Sequence, residues 1–339
     1  MAAWRAQGMP PDTDDYNGVA YRLAGGKERL SGGGDWCSTD QRMIPWFEER
    51  VIEQREHTQI VQDWKGNICE IGNEFTVRHL REPLDFVTRR WIRCPVENRA
   101  DWMEMRKRYD PNDPARIGEI GARNPELPLL LNFNGPFWQL REWLGFERLC
   151  ELLAEDPGFA GEMIEFWGDF VARLLERALK VAVPDCVRLS EDMAYKLHAM
   201  ISPRMAREFL LPSYQRWGKI IRDAGVPLYA MDSDGYADEL IPVWIEGRIN
   251  VLEPMEVAAG NDLPALRMKY GKAMAFRGGV DKRAIAKGGT VIEAEIKRLE
   301  PVIRDGGFIP SCDHGVPPDV SWPNYVRYVG LLASATGWL

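Results

Sequence analysis

The chain has 339 residues and a mass of 38.7 kDa, more than a minimal domain needs and within the range of one α/β barrel. Hydrophobic residues make up 45% and charged residues 28%, an ordinary folded composition that excludes disorder and collagen-like repeats, and no apolar run approaches the about 18 residues of a membrane span. Forty-three Lys+Arg against 51 Asp+Glu leave a net charge of -8, so neither nucleic acid nor an anionic membrane is expected as partner: no basic surplus exists to displace counterions.

In chain order, the opening residues MAAWRAQGMPPDTDD turn acidic at once and carry no apolar core of a signal peptide. Cys37, Cys69, Cys94, Cys150, Cys186 and Cys312 are scattered without a CxxC pair, which suits a reducing cytoplasm. Residues 1–126 read as an irregular N-terminal part. It holds the Gly-rich LSGGGDW, a hairpin pattern QIVQDWKGNICEI turning at Lys65, Gly66 and Asn67, and the polar RYDPNDPARIG. Six of the 13 tryptophans precede residue 103, and rings of that size predict an aromatic-rich core or pocket.

Residues 127–339 alternate apolar runs with amphipathic segments. The runs are LPLLLNFNGPFW, PDCVRLSEDM, VPLYAMDSDG, RINVLEP, KAMAFRGGVD and GGFIPSCDHG. Ser202 and Pro203 predict a helix start, Gly225 and Pro227 its stop, and Pro212 a kink between them or a split into two helices. Thr290 to Glu293 reads as a capping box, with Ile292, Ile296, Leu299 and Ile303 on one face. Six strand–helix units in a row predict parallel β/α architecture. A (β/α)8 barrel needs two more strands, both from residues 1–126. An open doubly wound sheet is the alternative, although no GxGxxG or GxxxxGK[ST] loop follows any run.

In parallel α/β folds the site lies at the carboxyl ends of the strands. Those positions carry Asn134; Glu191 and Asp192; Asp232 and Asp234; Glu253 and Glu256; Arg277 and Asp281; and Cys312, Asp313 and His314. Tyr195 and Tyr229 lie beside them. Ionisable groups at five consecutive strand ends predict an acidic, chemically armed funnel. His314 directly follows a strand, and an imidazole suits general acid/base work or metal ligation, with a hydrogen-bonded capping role as the alternative. Asp232, Asp234 and Cys312 are a candidate zinc site, or the aspartates cap the next helix. Gly278 and Gly279 allow close approach of a ligand, or a simple turn.

GGVDKRAIAKGG, then GGFIPSCDHGVPPDVSWPNYVRYV, together with PDCVRLSEDMAY, the helix beginning ISPRM and LNFNGPFWQLREWLGFERL, resembles the uroporphyrinogen decarboxylase superfamily over residues 127–339. The resemblance implies a (β/α)8 TIM-type barrel with a first strand normally upstream of residues 4–10. The chain is therefore expected to lack that strand or to supply it differently. It implies either cofactor-free decarboxylation of porphyrinogen acetate arms or methyl transfer among methoxylated or methylated compounds, corrinoid proteins and thiol or folate acceptors. His314 falls on the decarboxylase's final histidine, and Asp192 near the aspartate of its fourth strand. The decarboxylase's arginine motif is absent. The methyltransferases' zinc ligands His-x-Cys and Cys correspond to Asp232-x-Asp234 and Cys312. The expectation is a methyltransferase in which His314, with Glu191 and Asp192, is catalytic. Asn134, Tyr195, Tyr229, Glu253, Arg277 and Asp281 then bind a small substrate, and a corrinoid on a partner protein and zinc are the implied cofactors. Decarboxylation and a non-catalytic binding barrel are the alternatives.

Overall fold

Apolar runs rich in β-branched and large residues become strands, and the amphipathic stretches between them become helices. The computed structural model describes residues 1–11, 14–27, 35–37, 39–82, 87–118, 124 and 126–339; residues 30–34 of the Gly-rich stretch lie outside them. Among the described residues the strands are β1 (Asp35–Trp36), β2 (Arg50–Gln54), β3 (Thr58–Gln62), β4 (Ile68–Gly72), β5 (Arg90–Arg93), β6 (Leu129–Asn134), β7 (Cys186–Ser190), β8 (Leu228–Asp232), β9 (Val251–Met255), β10 (Ala275–Val280) and β11 (Phe308–Cys312). The six expected β/α strands are thus β6–β11.

Two compact units form, and both take residues from each side of residue 126: Met1–Cys37, Ile120–Asn132 and Val181–Leu339 in the first, Ser38–Glu119 and Phe133–Lys180 in the second. The first holds a seven-stranded sheet in the order β1-β6-β7-β8-β9-β10-β11, in which β1 pairs β6, β7 pairs β8, β8 pairs β9, β9 pairs β10 and β10 pairs β11, all in parallel. The expected eighth strand does not appear among the described residues, and no ladder there joins β11 to β1. β1 itself pairs only Asp35 with Leu129 and Trp36 with Leu130, too short to leave a periodic signal.

One face of this sheet is dry. Val187, Leu189, Met231, Leu252, Phe276 and Val280 are at most 1% exposed, as are Trp217, Trp244, Ile285, Ile292 and Leu299 of the helices. The alternate residues of β7 to β10 form the other face, where Arg188, Ser190 and Asp232 are only partly covered and Arg277 is exposed. Helix Thr290–Asp305 buries Ile292, Ile296 and Leu299 as its spacing predicts, but Val302 takes the place expected for Ile303, which is only half-buried, and no capping box forms. Gly289 is its N-cap, Thr290 already lies inside, and the Glu293 carboxylate pairs instead with Arg327. Ser202 does cap its helix, accepting from Met205 N at 3.1 Å. The kink expected at Pro212 becomes a π-helical turn over Ala206–Leu210, placed where the proline cannot donate.

The second unit holds the antiparallel sheet β2-β3-β4-β5. The expected hairpin is β3–β4, paired from Thr58 with Gly72 to Gln62 with Ile68. Its alternation buries Val61, Cys69 and Ile71 on one face, where Phe75, Val77 and Leu80 pack. The expected aromatic core is here too: Trp143 lies 4.9 Å from Trp102 and 5.6 Å from Trp167, which stacks on Phe170 at 5.1 Å. Among the described residues no helix is long and apolar enough to cross a membrane.

Candidate active site

The carboxyl ends of β7 to β11 bring charged groups together in the first unit. The ladders align Ser190 with Asp232 and Asp232 with Glu253. Ser190 donates to Asp232 at 3.0 Å. Arg188, one layer below, reaches Asp232 with Nη2 at 3.0 Å and Glu253 with Nε at 2.7 Å. The second contact is an ion pair rather than a directed hydrogen bond, since the buried Nε–H is not aimed at an acceptor. Arg277 closes the chain with a 2.6 Å bond to the other oxygen of Glu253. Charges therefore alternate across four strands, from Asp232 through Arg188 and Glu253 to Arg277.

Just beyond the strand ends lies a second cluster. His314 Nε2 is 3.4 Å from Asp234 Oδ2, and both side chains are nearly half exposed. Asp192, at a positive φ of 43°, accepts from Asp234 N at 3.2 Å. Burial and the neighbouring Asp192 carboxylate push Asp234 above the ordinary carboxyl range, and His314 offsets this only in part. Glu256 accepts from Gly235 N at 3.0 Å and pairs with Lys282 at 3.2 Å. Asp313 is fully buried and accepts from Val257 N and Lys282 N at 2.9 and 3.2 Å, with burial raising its pKa.

The family described as Uroporphyrinogen decarboxylase (URO-D) matches residues 118–332. The chain belongs to this family. No curated protein matches the sequence. A similar solved structure is a methyltransferase from Methanosarcina mazei, with a TM-score of 0.52 and 13% identity, covering 79% of this chain and 75% of that chain. At that identity the likeness shows the fold alone.

Of the residues expected from the sequence, Asp192, Asp232, Asp234, Glu253, Arg277 and His314 gather at one end of the sheet in the first unit. Several other candidates lie elsewhere. Glu191 is wholly buried and accepts the Tyr214 hydroxyl on the helix side of the sheet, because it follows inward-facing Ser190 by one residue. Tyr229 is 3% exposed on that same side, its hydroxyl without a hydrogen-bond partner and its pKa driven well up by burial and Glu191. Tyr195 is 54% exposed in a loop. Asp281 caps helix Lys282–Lys287, accepting from Arg283 N at 2.8 Å; burial alone would raise it, but the Arg283 bonds hold it below the usual range. Asn134 belongs to the second unit, where Gln41 and Gln139 bond it.

The zinc expectation is corrected. Among the described residues no three His, Cys, Asp or Glu side chains are grouped to hold a metal. Asp232 is occupied by Ser190 and Arg188. Gly278 is explained by packing. At φ 106° a Cβ there would sit 2.7 Å from Met255 N, at the shift of register between β9 and β10. Cys312 and His314 instead line a cavity of 630 Å³ with Arg277, Ser311, Tyr325 and Tyr328.

Arg188 and Ser190 were not singled out by the sequence. They sit inside a strand rather than at its end, and the only available signal was charge at alternate positions of an otherwise apolar run, CVRLS.

Proposed function

We propose that this URO-D family protein is a methyltransferase that takes a methyl group from a small, neutral methoxylated or methylated compound for delivery to a corrinoid carried by a partner protein. The observation that carries this reading is the charge of the strand ends. Arg188 and Arg277 are both engaged by Glu253, Lys282 by Glu256 and Arg283 by Asp281. Asp192, Asp234 and Asp313 add further negative charge. A porphyrinogen ringed with carboxylates would meet no unengaged cation in this group, and each buried, unpaired carboxylate costs several kcal/mol, on the order of 3–5. A small neutral substrate carries no such cost.

His314 holds a proton at Nε2 beside Asp234 and delivers it to the oxygen left when the methyl group departs, so that no free alkoxide forms. Asp234, beside the ring nitrogen, holds the imidazole in place for this transfer. Arg277 and Ser311 of the same cavity orient the substrate. The half-exposed position of His314 on a cavity wall suits a reaction whose acceptor arrives on another protein. A corrinoid, when bound, supplies the nucleophilic cobalt. Zinc has no part, because the residues present do not fit it. The same reading takes the seven-stranded sheet as the wall of an eightfold barrel and the cytoplasm as the compartment, where six free thiols remain reduced.

The test is anaerobic transfer from a panel of methoxy compounds to reduced cobalamin, followed by its absorbance. Methylcobalamin formation that is lost in His314→Ala supports the reading. Turnover of uroporphyrinogen at enzyme-like rates, without methyl transfer, would reassign the protein to decarboxylation.

A further inference from the structure

We propose that the substrate of this site is amphipathic, joining its methoxylated head to an uncharged apolar arm that lies in the slot between β11 and the helix Trp322–Thr336. This class deepens the methyl-transfer reading and rests on it, since His314 marks the part of the cavity where the head reacts. The volume of 630 Å³ falls well inside the about 300–1,000 Å³ of sites that enclose drug-sized ligands, and a methoxylated ring alone would leave much of it to water.

The apolar wall follows from the order of the chain. His314 stands just past the carboxyl end of β11, and the helix that comes next runs back along the strand, which brings Leu332 and Trp338 beside the strand's start. Ile309, set opposite Arg277 by the β10–β11 ladder, is 59% exposed, and Trp338 is 60% exposed. Both line the cavity. Large apolar side chains left open on one wall are unfavourable in water, and an apolar ligand relieves this. The three residues of strand from Ile309 to Cys312 give the slot about 10 Å of length.

The slot offers little for a polar arm to bind. Asp313 N donates to Val280 of β10 at 2.9 Å, so alternation along β11 turns the backbone of Pro310 and Cys312 toward the slot. Pro310 has no N–H, and the Cys312 N–H is taken by the Tyr328 hydroxyl oxygen. On the facing helix Tyr325 donates to Asn17, and Thr336 to Leu332 O at 2.9 Å. The charged lining residues are Arg277 and His314; Glu253 holds the first at 2.6 Å, and Asp234 stands 3.4 Å from the second. A charged or strongly polar arm would lose its hydration there with nothing offered in return, whereas each buried methylene strengthens binding about fourfold.

Calorimetric titration of the full chain with 2-methoxyphenol and with 2-methoxy-4-propylphenol reads the arm without any corrinoid. The expected result is binding of the propyl compound at least about tenfold tighter. Its polar counterpart 4-(2-hydroxyethyl)-2-methoxyphenol should gain less than about threefold, because the slot does not repay the hydroxyl. Ile309→Asn and Leu332→Asn each put an amide on the wall and should bring the propyl advantage below about threefold, with thermal melts confirming that both variants fold. Tighter propyl binding without methylcobalamin formation would remove the reaction and keep the arm. Methyl transfer from 2-methoxyphenol with no gain from the propyl group would keep the reaction and overturn the arm. No binding of either compound, an equal gain from the hydroxyethyl group, or an undiminished propyl advantage in both folded variants would also overturn the proposal.

Discussion

Replacing Arg188 with methionine tests whether the alternating charges hold the sheet together. Arg188 contacts Asp232 at 3.0 Å and Glu253 at 2.7 Å, with side chains 27%, 23% and 9% exposed respectively. At an effective dielectric of about 20, unit charges 3 Å apart attract by about 5 kcal/mol before the cost of desolvation is subtracted. Removing one partner of a fully buried pair costs about 3–5 kcal/mol, and of an exposed pair about 0.2–1 kcal/mol. The intermediate exposure here sets the expected loss for Arg188→Met at about 2–3 kcal/mol. Arg277, 52% exposed and joined among the described residues to Glu253 alone, should lose about 0.5–1 kcal/mol in the same replacement. Urea unfolding followed by tryptophan fluorescence measures both, and the Arg188→Met/Glu253→Gln double-mutant cycle isolates the pair. A loss below about 1 kcal/mol for Arg188→Met, or a larger one for Arg277→Met, would refute the reasoning.

Four further outcomes are expected. Gly278→Ala should destabilise the fold by about 2–4 kcal/mol in urea unfolding, combining a strained positive φ with a clash against the β9 backbone, whereas Gly271→Ala, with open space around it, should cost less. Asp313→Asn should cost about 1–3 kcal/mol, because an amide cannot accept from both Val257 N and Lys282 N with its two terminal atoms. Burial, joined by Asp192, raises Asp234, so the folded state holds its proton more tightly than the unfolded chain. That contribution to stability is complete below the ordinary value of 3.8 and is lost as pH climbs through the raised folded value, so Asp234→Asn should flatten the stability profile over that rise. His314→Ala should keep the wild-type melting temperature to within a few degrees, since the ring is 47% exposed, while abolishing methyl transfer.

Much of the fold was legible because periodicity is local. Six apolar runs bounded by turns became β6–β11, and QIVQDWKGNICEI became a hairpin, since alternation over a few residues selects both the element and its buried face. The charged strand ends were legible for the same reason: a strand must end where its apolar run does. β1 was not legible, because two residues are too few to show a period. Thr290 to Glu293 matched a capping pattern, yet Arg327, on the next helix, took the glutamate.

What tertiary structure decided was which charges meet. Ser190 and Asp232 are 42 residues apart in the chain, and only the parallel register of β7, β8 and β9 sets them and Glu253 in one row with Arg188 beneath. The same two-residue alternation that made the strands recognisable turned Glu191 away from Ser190, into the helix layer against Tyr214. A sequence reads along one strand, where pattern sets burial. Partners lie across strands, where hydrogen-bond register and the packing of distant segments determine which side chain stands beside which.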